Sequence, residues 1–163
     1  MPTYLGVDPG ANGALCFLDS RTRVTKFLPT PRGDFSPMAL RQAIKAQRTV
    51  SLIRCAAVEK VHAMSLVSAG STFNFGYNYG VLMGVLQTLD LEIDLVTPRT
   101  WQKSCQIPTR KELGGSKQLK EYVARLAHDL YPTASLYGPR GGLMDGRSDA
   151  LMIAHWLKKT MEY

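Results

Sequence analysis

Apolar runs and polar breaks alternate along this chain in an order that lays out its elements. Tyr4-Leu5-Gly6-Val7 closes on Asp8, and residues 3–8 read as a buried strand. Pro9-Gly10-Ala11-Asn12-Gly13 supplies residues suited to a tight turn. Residues 14–19 and 23–28 read as the second and third strands, and their short connections predict an antiparallel meander. Ser36-Pro37 pairs a capping hydroxyl with a first-turn proline and opens a helix that runs to residue 48. Residues 52–59 give a fourth strand, which must return parallel to the first because a helix intervenes. Residues 71–90 read as a helix, with Gly76, Gly80 and Gly84 drawing a smooth stripe along one face. Residues 92–97 form the fifth strand, and Thr97-Pro98 starts a short helix. After Gly114-Gly115-Ser116, the residues Leu119, Tyr122, Val123, Leu126, Ala127 and Leu130 recur at helical spacing. Residues 132–144 are irregular, and a last helix covers 147–160. The expected fold is α/β, a mixed five-stranded sheet flanked by helices in one domain over 1–163.

Three apolar segments bear acids at their ends. Asp8 ends the first strand, and Glu59 ends Cys55-Ala56-Ala57-Val58. Asp149 opens Ala150-Leu151-Met152-Ile153-Ala154, with Asp145 one helical turn earlier. A carboxylate at the tip of a buried strand is costly unless it is paired or binds a metal. Oxygen-only donors suit a hard cation, so the first expectation is a Mg²⁺ site at the edge of the sheet. Each acid alone has a plainer explanation. Asp8 can cap the Pro9-Gly10 turn, Glu59 can pair with Lys60 or an arginine, and Asp145 can be a helix cap or a metal ligand.

Charge sharpens the picture. The net charge of +7 over 163 residues is modest but uneven. Between residues 97 and 120, Arg99, Lys103, Arg110, Lys111, Lys117 and Lys120 face a single acid, Glu112. Beside an acidic metal site, such a stretch suits a polyanion whose phosphates it would hold. Cys16, Cys55 and Cys105 show no metal or disulfide spacing, which fits free thiols in a reducing intracellular compartment. No apolar run is long enough to span a bilayer, and the N-terminus enters a strand without a signal-like segment. His62, His128 and His155 are scattered, and a surface or rim imidazole is the expectation for His62, three residues beyond Glu59. Phe73, Phe75, Tyr77 and Tyr79 alternate along one helix and are expected mostly in the core.

These residues carry a resemblance. Gly6-Val7-Asp8-Pro9-Gly10 followed by Asn12-Gly13-Ala14 resembles the opening strand and turn of RuvC-type Holliday junction resolvases. Val58-Glu59-Lys60-Val61-His62 resembles their second acidic strand. Val96-Thr97-Pro98-Arg99-Thr100-Trp101-Gln102-Lys103 and Gly115-Ser116-Lys117 resemble the two lysine-bearing elements. Asp145-Gly146-Arg147-Ser148-Asp149-Ala150-Leu151 resembles the closing acidic helix, most of all in the phage-type and chloroplast-type variants. The resemblance spans residues 4 to 156. It departs from many bacterial members in one respect: their last two ligands sit three residues apart, whereas Asp145 and Asp149 are four apart, still on one helical face.

The resemblance implies an RNase H-like fold and metal-dependent cleavage of four-way DNA junctions, with paired phosphodiester hydrolysis giving 5′-phosphate and 3′-hydroxyl ends. It implies Asp8, Glu59, Asp145 and Asp149 as ligands of two Mg²⁺ ions, with Mn²⁺ able to substitute, and Lys103 and Lys117 as catalytic lysines. Arg99, Arg110, Lys111, Lys120 and Arg147 would guide the DNA backbone, and Phe73 or Phe75 would stack at the junction centre. A homodimer follows from the near-twofold substrate, with the glycine stripe as a seam. A bacterial or phage-infected cytoplasm, or an organelle, is the expected setting. The rival readings are a less specific RNase H-like nuclease acting on DNA or RNA, and a junction-binding protein with weak catalysis. An actin-like ATP-binding domain needs two lobes and a second phosphate loop, and the chain offers neither.

Overall fold

A computed structural model describes residues 2–23, 25–30, 36–50, 52–61 and 68–162. Five strands form one sheet: β1 Pro2–Asp8, β2 Ala14–Asp19, β3 Thr25–Pro29, β4 Leu52–Glu59 and β5 Glu92–Val96. Their order across the sheet is β3-β2-β1-β4-β5. β1 to β3 form the antiparallel meander that the short connections predict, and β4 and β5 run parallel to β1. The helices are α1 Pro37–Val50, α2 Ala69–Gln87, α3 Pro98–Ser104, α4 Arg110–Leu113, α5 Ser116–Leu130 and α6 Asp145–Met161.

The central strands β1, β2 and β4 are buried on both faces, and their side chains alternate between two cores. Tyr4, Cys16, Leu18, Cys55 and Ala57 point into a core shared with α3, α5 and α6. Leu5, Val7, Leu15, Phe17, Ile53 and Val58 point into a second core shared with α1 and α2. The α6 side of the sheet is built largely from small residues, and this lets the helix press close. A Cβ on Gly6 would lie 2.1 Å from the Ala150 carbonyl oxygen and 2.4 Å from the Ala154 nitrogen. Only glycine permits that approach. The helix pays back the contact with an almost unbroken buried run, Ala150 to Ala154.

Several boundaries differ from the sequence expectation for identifiable reasons. β3 starts at Thr25 rather than 23, because Arg23 is left-handed at φ 57 and bonds the Leu130 carbonyl while covering the Tyr131 ring. α2 begins at Ala69, where the Ser68 hydroxyl caps the Ser71 N–H, and stops at Gln87 before a turn with Asp90 at φ 52. α4 was not expected. A reciprocal capping box between Thr109 and Glu112 makes it, a Thr-x-x-Glu signal that was present in the sequence. α6 begins at Asp145, two residues earlier than expected, and no side chain caps it.

Candidate active site

The strand ends and the α6 start meet at one end of the sheet. β1 and β4 pair in parallel with Val7 opposite Val58, so Asp8 and Glu59 leave adjacent strands side by side. α6 packs on β1 through the Gly6 notch and brings Asp149 over the same edge. A second notch lies just above. A Cβ on Gly146 would fall 2.1 Å from the Asn12 carbonyl oxygen, and Gly13 and Gly146 form an isolated bridge. Backbone contact between the β1–β2 turn and the first turn of α6 therefore sets the depth at which both acids of α6 sit.

The four carboxylates act on one another. Burial, then the charges of Asp8, Glu59 and Asp145, hold the Asp149 carboxyl well above the usual carboxylate range. Burial pushes Glu59 up to about 7, with the Asp8 charge adding to it and the Trp101 hydrogen bond opposing it. Burial also raises Asp8, and the Asp145 charge adds to that rise, while the Gly10 N–H donated to its Oδ1 at 2.9 Å lowers it. Asp8 therefore does brace its turn, as the plain explanation has it, while also facing the other acids. Asp145 does not cap α6. It is the first residue of the helix, and its carboxylate pairs with Lys120 of α5. The Lys120 ammonium also feels Asp149 and Asp8, and these acids raise it.

Among the described residues, no three acids, histidines or cysteines converge closely enough to hold an ion as they stand. The donor set nonetheless fits a hard divalent cation. It is all oxygen, burial and neighbouring charge drive Asp8, Glu59 and Asp149 toward protonation, and Lys120 is a cation set against them. A divalent ion would relieve that imbalance and release Lys120 from Asp145.

The other expected site residues fall into distinct places. Lys117 is exposed, 3.9 Å from Glu121, and lines a cleft of about 470 Å³ with Lys120 and Asp145. Arg110 leans on the Ser116 hydroxyl at 3.5 Å, next to that cleft. Arg99 and Lys103 are exposed on α3, and Lys111 is exposed on α4. Arg147 already has partners within the chain. Its guanidinium bonds the Ser135 carbonyl at 2.8 Å and hydroxyl at 3.2 Å and lies over the Phe27 ring, so it braces the loop before α6. The aromatics of α2 split by face. Phe73 and Tyr77, four apart, are 72% and 58% exposed, while Phe75 and Tyr79 are half-buried. His62 lies outside the described residues. His155 is turned inward onto the Tyr131 hydroxyl at 2.8 Å.

Two contacts escaped sequence reasoning. The Trp101 indole donates to Glu59 Oε2 at 2.7 Å, fixing that carboxylate from α3. Lys120, expected only as a backbone guide, is the lysine seated among the acids. It lies one turn beyond Lys117, so helical periodicity alone offered both.

No family model matches the sequence, and no curated protein matches it. Solved structures do match. T. thermophilus RuvC in complex with Holliday junction substrate aligns with a TM-score of 0.63 at 13% identity, covering 98% of this chain and 96% of that one. A second Thermus thermophilus RuvC structure gives 0.53 at 15% identity over 97% and 96%. The yeast mitochondrial Holliday junction resolvase Ydc2 gives 0.50 at 14% identity over 98% and 80%. The chain has the RuvC fold. Within this RNase H-like architecture the site sits where β1, β4 and the α6 start converge. No helix of the described residues is long and apolar enough to cross a membrane.

Proposed function

We propose that this chain, as one nuclease domain over residues 1–163, is an endonuclease that resolves four-way DNA junctions by Mg²⁺-dependent, paired phosphodiester hydrolysis. The observation that carries the reading is that Asp8, Glu59, Asp145 and Asp149, from three elements far apart in sequence, lie near enough at one end of the sheet for their charges to act on one another, beside a lysine-lined cleft. The likeness of the fold to a RuvC bound to a Holliday junction supports the choice of substrate.

Asp8, Glu59, Asp145 and Asp149 would hold the cation. Bound there, Mg²⁺ (or Mn²⁺ in its place) supplies an activated water and neutralises charge on the phosphate, and cleavage leaves 5′-phosphate and 3′-hydroxyl ends. Trp101 keeps the Glu59 carboxylate oriented. Lys120, which pairs with Asp145, would be freed when a cation takes that carboxylate and would then stabilise the charge that develops on the phosphate. Lys117 and Arg110 line the approach on the α5 side, and Arg99, Lys103 and Lys111 extend the basic surface and make affinity salt-sensitive.

Paired incision calls for two such sites on a twofold axis, and α2 offers the seam. Cβ atoms built on Gly76, Gly80 and Gly84 would meet nothing within 4 Å among the described residues, so the smooth stripe faces away from them. Phe73 and Tyr77 stand exposed on the same helix, where an aromatic ring can stack on an unpaired base at the junction centre, with Phe75 half-buried behind them. The deciding experiment compares a four-way junction, a matched linear duplex and an RNA–DNA hybrid in Mg²⁺. Symmetric cuts in the junction alone are expected. Equal cutting of duplex or hybrid would leave a general RNase H-like nuclease, and junction binding without cutting would leave a binding protein.

A further inference from the structure

The bond between Trp101 and Glu59 makes the two oxygens of one carboxylate unequal. Local features place the indole. The Lys60 N–H donates to the Val96 carbonyl at 2.7 Å, so the pairing of β4 with β5 runs one residue past Glu59. The Thr97 hydroxyl then accepts from the Thr100 N–H and caps α3, with Pro98 in its first turn. The helix therefore starts at the strand end, and Trp101 follows one turn in. Its side chain is 1% exposed and shares a core with Ala57, Val96 and Ile107. A buried indole N–H seeks an acceptor. Here it donates to Glu59 Oε2 at 2.7 Å.

A donor held by core packing is not displaced as a water would be. It fixes the plane of the carboxylate, and an oxygen that already accepts a short hydrogen bond has less electron density to offer a cation. The indole engages Oε2 and leaves Oε1, so Glu59 meets an ion mainly through one oxygen. That arrangement treats cations differently. Mg²⁺ is octahedral, keeps several waters and needs one oxygen from each of a few carboxylates. Ca²⁺ gathers more oxygens at longer distance, in part by taking both oxygens of a single carboxylate.

We infer that Trp101 is a positioning residue that selects the metal: by engaging Oε2, its N–H restricts Glu59 to ligation through one oxygen and so favours Mg²⁺ or Mn²⁺ over Ca²⁺. The inference rests on the carboxylate metal site of the nuclease reading. It adds the ion against which that site discriminates and the group that does so. An indole buried for packing alone would have no such effect.

The test measures metal binding to the full chain, without DNA or turnover. Bound Mn²⁺ is followed by electron paramagnetic resonance and displaced with Mg²⁺ or with Ca²⁺. Wild type is expected to take Mg²⁺ in preference to Ca²⁺. Trp101→Phe removes the N–H and keeps an aromatic ring. It should weaken Mg²⁺ by ~10-fold or more, the usual cost of losing a group that orients a ligand. Ca²⁺, able to use the freed oxygen, should weaken by less than about threefold. A benzothiophene analogue at position 101, with sulfur where the indole has N–H, should shift the ratio in the same direction with the ring shape kept, and it provides the answer if the phenylalanine variant does not fold. Trp156→Phe alters a second buried tryptophan of the same core and should leave the ratio unchanged. Equal weakening of both ions by the changes at position 101, an unchanged ratio, or a wild type without preference would overturn the inference while leaving the metal site standing. A wild type that binds none of the three ions would overturn the metal-site reading, and the inference with it.

Discussion

At the scale of single residues, the site is a problem of charge balance. Asp8→Asn or Glu59→Gln is expected to abolish cleavage and leave junction affinity nearly unchanged, since phosphate contacts come from Lys and Arg. Wild-type cutting rates in Mg²⁺ would show that the site is misassigned. The two lysines of α5 should separate. Lys120 touches Asp145, whereas Lys117 faces solvent and Glu121. Lys120→Ala should slow single-turnover cleavage by about 10²–10³ even with all junction bound. Lys117→Ala should instead weaken binding and reduce the salt slope by roughly one unit. The reverse ranking would move the catalytic lysine back to position 117.

The same acids link stability to pH in metal-free protein. Glu59 titrates near 4.5 when unfolded and at about 7 when folded. The native state therefore holds the extra proton between those values, and stability falls as pH rises through that window. Asp149 and Asp8 act in the same direction. His155, lowered by burial, opposes them below its ordinary value of 6.5, so pH 6.5 to 8 is the clean interval. The melting temperature without Mg²⁺ should fall across it, and Mg²⁺ should restore stability most at pH 8. A melting temperature that rises over that interval, or ignores Mg²⁺ at pH 8, would count against a carboxylate metal site.

At the scale of elements, α6 matters most because it brings two acids onto the ends of two strands. Its seat is the Gly6 notch, where an added methyl would overlap backbone of Ala150 and Ala154. Backbone cannot swing aside as a side chain can, so Gly6→Ala must displace the helix. It should lower the melting temperature and cut activity by far more than one methyl's worth of packing would suggest. Thermal melts alongside junction cleavage would check this, and a fully active, fully stable variant would show that α6 does not depend on that approach. The contrast with α2 is instructive. That helix is apolar around most of its circumference yet buries chiefly Leu82, Val85 and Leu86. Among the described residues its glycines are not notches for a neighbour but an open face.

At the scale of the whole molecule, that open face becomes a prediction about assembly. Gly80→Leu places a branched side chain where two smooth helices would meet. It should reduce dimerisation and paired incision together while leaving the carboxylates in place. Sedimentation at micromolar concentration, free and on junction DNA, measures the first effect, and the ratio of resolved to singly nicked product measures the second. A wild type that is monomeric in both conditions would sink the paired-site proposal.

The antiparallel meander, the parallel return of β4 and the positions of Asp8, Glu59 and Asp149 at the ends of apolar segments were legible in the chain by itself. Each follows from a local pattern: an apolar run sets the strand, the turn residues end it, and an acid at its tip must face a site or pay for burial. Helix limits were legible to within two or three residues, and the Thr109–Glu112 capping box was legible though unread. What only the tertiary structure decided are the matters that depend on which surfaces meet. Trp101 reaches Glu59 because β5 pairs with β4 so that Val96 lies opposite Glu59 and α3 follows directly, and that strand pairing is a choice of tertiary structure. Lys120 rather than Lys117 faces Asp145 because α5 is rotated by its own packing on α6, and periodicity sets a face without saying which end of it a neighbour will use. Arg147 turns to Ser135 and Phe27 because the tertiary fold brings the incoming loop and β3 beside it. Local sequence sets the element and its apolar face; the orientation of a long polar side chain is settled by partners that arrive from elsewhere in the chain.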